Sequence, residues 1–123
     1  MNEITRIPAG TVISAVSIVS TADIRVDGKV HGPIMTVGKT VVGEDGAIVG
    51  DLLCRNADIS GTVTGNLTVG EVLTLTSTST VKGDIRCMKL CIENGAVFEG
   101  NCRIIDTAQF DSLREEFGSS LQQ

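Results

Sequence analysis

Trp and Tyr are absent, and only three Phe stand in 123 residues. A globular core of this size ordinarily uses large aromatic plugs. Their near-absence argues for many thin, equivalent layers of Val, Ile, Leu and Thr. Pro occurs twice against 14 Gly, which fits neither a collagen nor a Pro-rich linker. A single His, His31, is the whole imidazole supply. No apolar run approaches the ~20 residues that span a bilayer. The start, MNEITRIPAG, lacks the apolar centre of a secretory signal, so the chain reads as cytoplasmic. Basic excess is missing as well. Residues 1–105 hold 11 acidic and 9 basic side chains, and residues 106–123 hold 4 and 1. Neither part has the charge that drives nucleic-acid binding through phosphate neutralisation.

What the chain has is a repeat. Gly28–Ile34 reads GKVHGPI, and GAIVGDL (46–52), GTVTGNL (61–67), STVKGDI (79–85) and FEGNC (98–102) rewrite it. Its second glycine falls at 32, 50, 65, 83 and 100, with spacings of 18, 15, 18 and 17. A period near 17 over most of a chain is a fold-level signal. Between the glycines lie short β-branched segments that alternate with period two, such as Ile24-Arg-Val26 and Leu73-Thr-Leu75. A sandwich of hairpins also has short strands. Here, however, the variable length sits at one corner: four residues from Val26 to Val30 and from Ile59 to Val63, six from Val42 to Ile48, Leu75 to Val81 and Ile92 to Phe98. Stacked coils tolerate insertion at a corner.

The expected fold is therefore all-β, a single-domain parallel β-helix over 11–105 with five to six rungs of about 17 residues. A flexible tail is expected over 1–10. Over 106–123 the pattern changes to a C-terminal tail carrying a short helix. There Asp106 and Gln109 form a capping pair, Phe110, Leu113 and Phe117 share one face, and Gly118 is a stop. That helix is expected to cover the last rung if it docks. The inward ladders are Val30, Ile48, Val63, Val81 and Phe98, then Ile34, Leu52, Leu67, Ile85 and Cys102, then Thr36, Cys54, Val69, Cys87 and Ile104. Cys54, Cys87 and Cys102 thus read as buried, reduced small hydrophobes, with Cys91 turned outward.

Little chemistry is available. Cys87 and Cys91 have the wrong spacing for a zinc knuckle and no second pair completes it. No glycine unit is a phosphate loop. No catalytic, cofactor or metal residue is assigned, and no nucleotide is expected. The run LTLTSTST (73–80) evokes an ice-binding or adhesive face, but its Thr is not repeated as a grid. A left-handed β-helix acyltransferase is the enzymatic alternative, and it needs six-residue repeats and a catalytic His. The ends are the stronger clue, because a solenoid exposes strand edges and a slice of core at both. Val12, Ile13, Val16 and Ile18 mark the N-terminal rung, and Phe98, Cys102 and Ile104 the C-terminal one. Such ends predict self-association into filaments. Ile4 and Ile7 in the lead are a weak candidate for membrane contact.

The series DIRVDGKVHGPI (23–34), VVGEDGAIVGDL (41–52), ADISGTVTGNL (57–67), STVKGDI (79–85) and ENGAVFEGNC (93–102) closely resembles the bactofilins, polymer-forming bacterial cytoskeletal proteins. The resemblance implies a right-handed parallel β-helix that assembles without nucleotide into non-polar filaments. It also implies filaments along the inner membrane that scaffold cell-shape or cell-wall proteins, with a flexible lead that touches membrane in some members. By the same resemblance Phe98 is a core or junction residue. Pro33 departs from the pattern, where a small acidic or polar residue is usual. So does Ser14-Ala-Val in the first rung, where glycine is common.

Overall fold

The computed structural model describes residues 4–14 and 17–121. Alternating apolar residues and turn glycines give strands of three or four residues ended at corners, except for two longer ones, Leu67–Leu75 and Ile85–Ile92. In chain order they are β1 (Ile4–Ile7), β2 (Val12–Ser14), β3 (Ile18–Ser20), β4 (Asp23–Val26), β5 (Lys29–His31), β6 (Ile34–Thr36), β7 (Lys39–Val42) and β8 (Ala47–Val49). There follow β9 (Leu52–Cys54), β10 (Asn56–Ile59), β11 (Thr62–Thr64), β12 (Leu67–Leu75), β13 (Thr80–Lys82), β14 (Ile85–Ile92), β15 (Val97–Glu99), β16 (Cys102–Ile104) and the helix α1 (Thr107–Leu121). Every pairing is parallel and joins a strand to its counterpart in the next rung.

The result is a three-faced β-solenoid. One face is the six-stranded sheet β2-β5-β8-β11-β13-β15. The other two faces run β3-β6-β9 and β1-β4-β7-β10. The long strands β12 and β14 pass through the corner between them and fuse them into one sheet. At about 4.8 Å per rung, six rungs make a rod on the order of 25–30 Å long.

The first two inward ladders are buried from Val30 to Val81 and from Ile34 to Ile85. The third runs Thr36, Cys54, Val69 and Cys87, all buried. Both ladders and third line lose cover only at the final rung. Cys102 is exposed there, against its expected burial, while Cys91, expected to face outward, is half-buried. Thr40 faces inward between Ile24 and Ala57. Its Oγ1 is the one buried side-chain polar atom, among the described residues, left without a hydrogen bond. Thr40→Val should keep the shape and remove that desolvated hydroxyl. We expect stabilisation of about 1 kcal/mol, read as a higher urea midpoint with an unchanged m-value.

The stacked glycines form a corner with its own ladder. Beside each one, the Asn66 N–H donates to Asp51 Oδ1 at 2.9 Å, the Asp84 N–H to Asn66 Oδ1 at 3.1 Å, and the Asn101 N–H to Asp84 Oδ1 at 3.2 Å. Short polar side chains at this corner thus bond the rung above. Pro33 occupies the same position and its carbonyl accepts the Ile18 N–H at 2.8 Å. The main-chain ladder therefore survives the proline. What the missing N–H forgoes is a bond to a side chain of the rung below, where Ser17 stands.

Two expectations for the termini need correction. Residues 4–7, expected in a flexible tail, form β1 and pair with β4 from Ile4↔Asp23 to Ile7↔Val26. The Ile7 carbonyl accepts the N–H groups of Asp27 (2.7 Å) and Gly28 (3.1 Å), and the Thr11 N–H closes the turn on the Pro8 carbonyl at 3.2 Å. Alternation inside ITRI supplied an inward residue, Ile7, which is only 4% exposed.

The helix does not cover the last rung. It starts as the capping pair predicts, with the Gln109 N–H on Asp106 Oδ1 at 2.8 Å and the Asp106 N–H on Gln109 Oε1 at 3.0 Å. It then lies along the flank, over the outward residues of the β6-β9-β12 face. Phe110 packs with Leu53 and Ile105, and Met35, Leu113 and Phe117 close around them. Leu53 faces outward yet is 1% exposed because of this cover. Gly118 lies inside the helix beside Met35 instead of ending it. Gly70 leaves room for Phe110, since a Cβ there would come within 2.8 Å of the ring. A 15-residue helix is marginal in isolation. Phe110→Ala should therefore cost about 3 kcal/mol of docking and melt α1, which far-ultraviolet dichroism would show as lost helix signal over an intact β spectrum.

Candidate assembly poles

A solenoid must end, and here each end leaves strand edges without a neighbour within the chain. At the C-terminal pole the open edges belong to β15, β16 and the second half of β14. Phe98 stacks on Val81, Cys102 on Ile85 and Ile104 on Cys87. These continue inward ladders, but with no rung above them. Ile104 is 61% exposed and Ile92 is 52% exposed. Phe98 and Leu90 are half-buried and pack on the core beneath. The pole is thus an apolar slice framed by unpaired N–H and C=O groups, the arrangement that natural sheets otherwise hide. Asn101 ends the polar corner ladder at the same pole.

The N-terminal pole is built from β1, β2 and β3. Ile13 stacks on Val30 and Ile18 on Ile34, and both are half-buried at the edge of the core. Val12 does not join them. It pairs with Lys29 and points out from the sheet, 64% exposed, because alternation puts Ile13 inward. Val16 lies outside the described residues. Ile7 is buried, so only Ile4 of the proposed membrane pair is at the surface. The inward position of Ile7 could have been read from its match to Val26 in the repeat. The flank that receives α1 presents the outward apolar pair Met35 and Leu53, which line up only once the rungs are stacked.

His31 is exposed on β5, and no group of three or more His, Cys, Asp or Glu suited to a metal ion occurs among the described residues. Burial pushes the Cys54 thiol from its ordinary 9.0 up to about 12. Burial does the same to Cys87, also up to about 12, with the neighbouring Cys102 adding to the rise. Both stay protonated and poorly nucleophilic at neutral pH. A raised pKa favours the fold below the ordinary value, and that contribution is lost as pH climbs from 9.0 toward about 12.

Comparison with known proteins agrees with this geometry. Residues 5–103 match the family model for bactofilin, described as polymer-forming cytoskeletal. The chain is 30% identical over 102 residues to bactofilin BacO of Myxococcus xanthus (strain DK1622), covering 79% of this chain and 81% of that protein. It is 33% identical over 78 residues to bactofilin BacP of the same organism, covering 63% of this chain and 32% of that protein. No solved structure matches significantly. No helix among the described residues is long and apolar enough to cross a membrane.

Proposed function

The chain belongs to the bactofilin family of polymer-forming cytoskeletal proteins, and from that premise we propose that it assembles end to end through its two poles into nucleotide-independent filaments. The observation that carries this reading is the C-terminal pole. There Ile104 and Ile92 are exposed at the end of otherwise buried ladders, and α1 runs down the flank and leaves the pole open. A second rod placed there would pair the edges of β15 and β16 and cover that apolar slice. Its driving force is burial of apolar surface plus completion of backbone hydrogen bonds. Neither needs a nucleotide, and no phosphate loop is present in the sequence.

The filament serves as a structural element and not as a catalyst. Support comes from the thiols held protonated and the isolated His31. In the cell it would act as a cytoplasmic scaffold at the inner face of the membrane, positioning cell-shape or cell-wall proteins. Ile4 beside Arg6 is the only described remnant of the membrane-contact expectation, so any such contact is weak per subunit and gains from polymer multivalency. The test is electron microscopy of the purified chain in nucleotide-free buffer. Filaments are expected; a strict monomer at high concentration would refute the proposal.

A further inference from the structure

Beyond the poles, the flank carries a charged recess that neither the fold nor the assembly uses. The outward ladder beneath α1 runs Val19, Met35, Leu53, Thr68, Arg86 and Arg103. The helix covers its apolar middle and leaves the two arginines at one end. Arg86 and Arg103 are register partners on adjacent rungs, so their backbones stand about 4.8 Å apart. Like charges directly opposite on a sheet repel. Among the described residues neither has an ion-pair partner, whereas Arg25, Arg55 and Arg114 each have one.

Arg86 and Arg103 both line a recess of about 310 Å³ between the sheet and α1. Ile105 and Leu113 also line it and supply apolar contact. Gln109 and Ser112, an amide and a hydroxyl residue, also line it. The Gln109 Oε1 is already taken by the Asp106 N–H, which leaves its amide N–H groups as donors. Glu116 is the one acidic side chain on the rim.

We propose that Arg86 and Arg103 form an anion site for a phosphate group, with Gln109 and Ser112 as further donors. Two stacked guanidinium forks offer more N–H groups than one carboxylate can accept. A tetrahedral phosphate presents several oxygens on different edges and can engage both forks at once. Binding an anion also removes the repulsion between the two arginines. The phosphate can come free in solution or as a phospholipid headgroup, and the two sources are separable by experiment.

The probes are inorganic pyrophosphate, followed by calorimetric titration of the assembled protein, and phosphatidylcholine vesicles with and without phosphatidylglycerol, followed by flotation. The wild type should take up pyrophosphate. The R86Q/R103Q variant should bind it about tenfold more weakly or worse, with a thermal midpoint no lower than that of the wild type. Lys82→Gln, on another face, should bind as the wild type does, and Glu116→Gln should bind more tightly. Flotation with phosphatidylglycerol that is lost in R86Q/R103Q identifies a headgroup as the source. Flotation that ignores the substitutions, beside arginine-dependent pyrophosphate binding, identifies free phosphate. No pyrophosphate binding by the wild type, or equal binding by R86Q/R103Q, overturns the site. So does an arginine-dependent preference for a glutamate-rich peptide over pyrophosphate.

Discussion

Gly83→Ala is expected to destabilise the solenoid by about 3 kcal/mol or more, one methyl group notwithstanding. Gly83 has φ +140°, and an added Cβ would collide with the carbonyl of Gly65 in the rung below. Gly65 stands in the same relation to Gly50, and Gly100 to Gly83. Each glycine brings two backbones closer than any side chain permits. The obstacle is backbone atoms fixed by hydrogen bonds, so no flexible side chain can move aside. Gly10→Ala is the internal comparison. Gly10 also has a positive φ, +83°, but nothing lies within 4 Å of its missing Cβ. It should cost only the conformational strain, about 1 kcal/mol. Urea unfolding of both variants separates close approach from strain. Equal losses would show that stacking plays no part at this corner.

Ile104→Lys is expected to leave the rod folded and to abolish its polymer. Ile104 is exposed at the C-terminal pole, and substitutions at such places usually change stability by about 0.5 kcal/mol or less. In a junction, the ammonium group would be buried without a partner. A penalty of about 3 kcal/mol raises the concentration needed for assembly on the order of a hundredfold. Phe98→Arg should act in the same direction but less cleanly, because Phe98 also packs on the core below it. Val12→Lys is the control, since Val12 faces out from the side of the sheet. Sedimentation across a concentration series reads all three. Unchanged assembly by Ile104→Lys would remove this pole from the junction.

The repeat made most of the fold legible. The glycine positions alone place the inward ladders, because one period of about 17 residues fixes which side chains stack. The C-terminal end could be read in the same way, since Phe98, Cys102 and Ile104 fall at ladder positions. Val12 could not be placed correctly by counting apolar residues; it needed the alternation that sends Ile13 inward. The lead was misjudged because its strand is too short and polar to stand out. Only its partner β4 reveals that Ile7 completes a line with Val26. The helix shows the limit of local pattern. Its cap and apolar stripe were readable, but its landing place depends on residues 35, 53 and 70, far away in sequence. Arg86 and Arg103 become a pair only once the rungs are stacked.

Fibre diffraction from aligned filaments tests end-to-end stacking most directly. Rods joined pole to pole keep every strand perpendicular to the filament and every rung stacked along it. The strand spacing should then appear as a reflection at about 4.8 Å along the filament axis. The same reflection across the axis would mean that the rods associate side by side, and would contradict assembly through the poles.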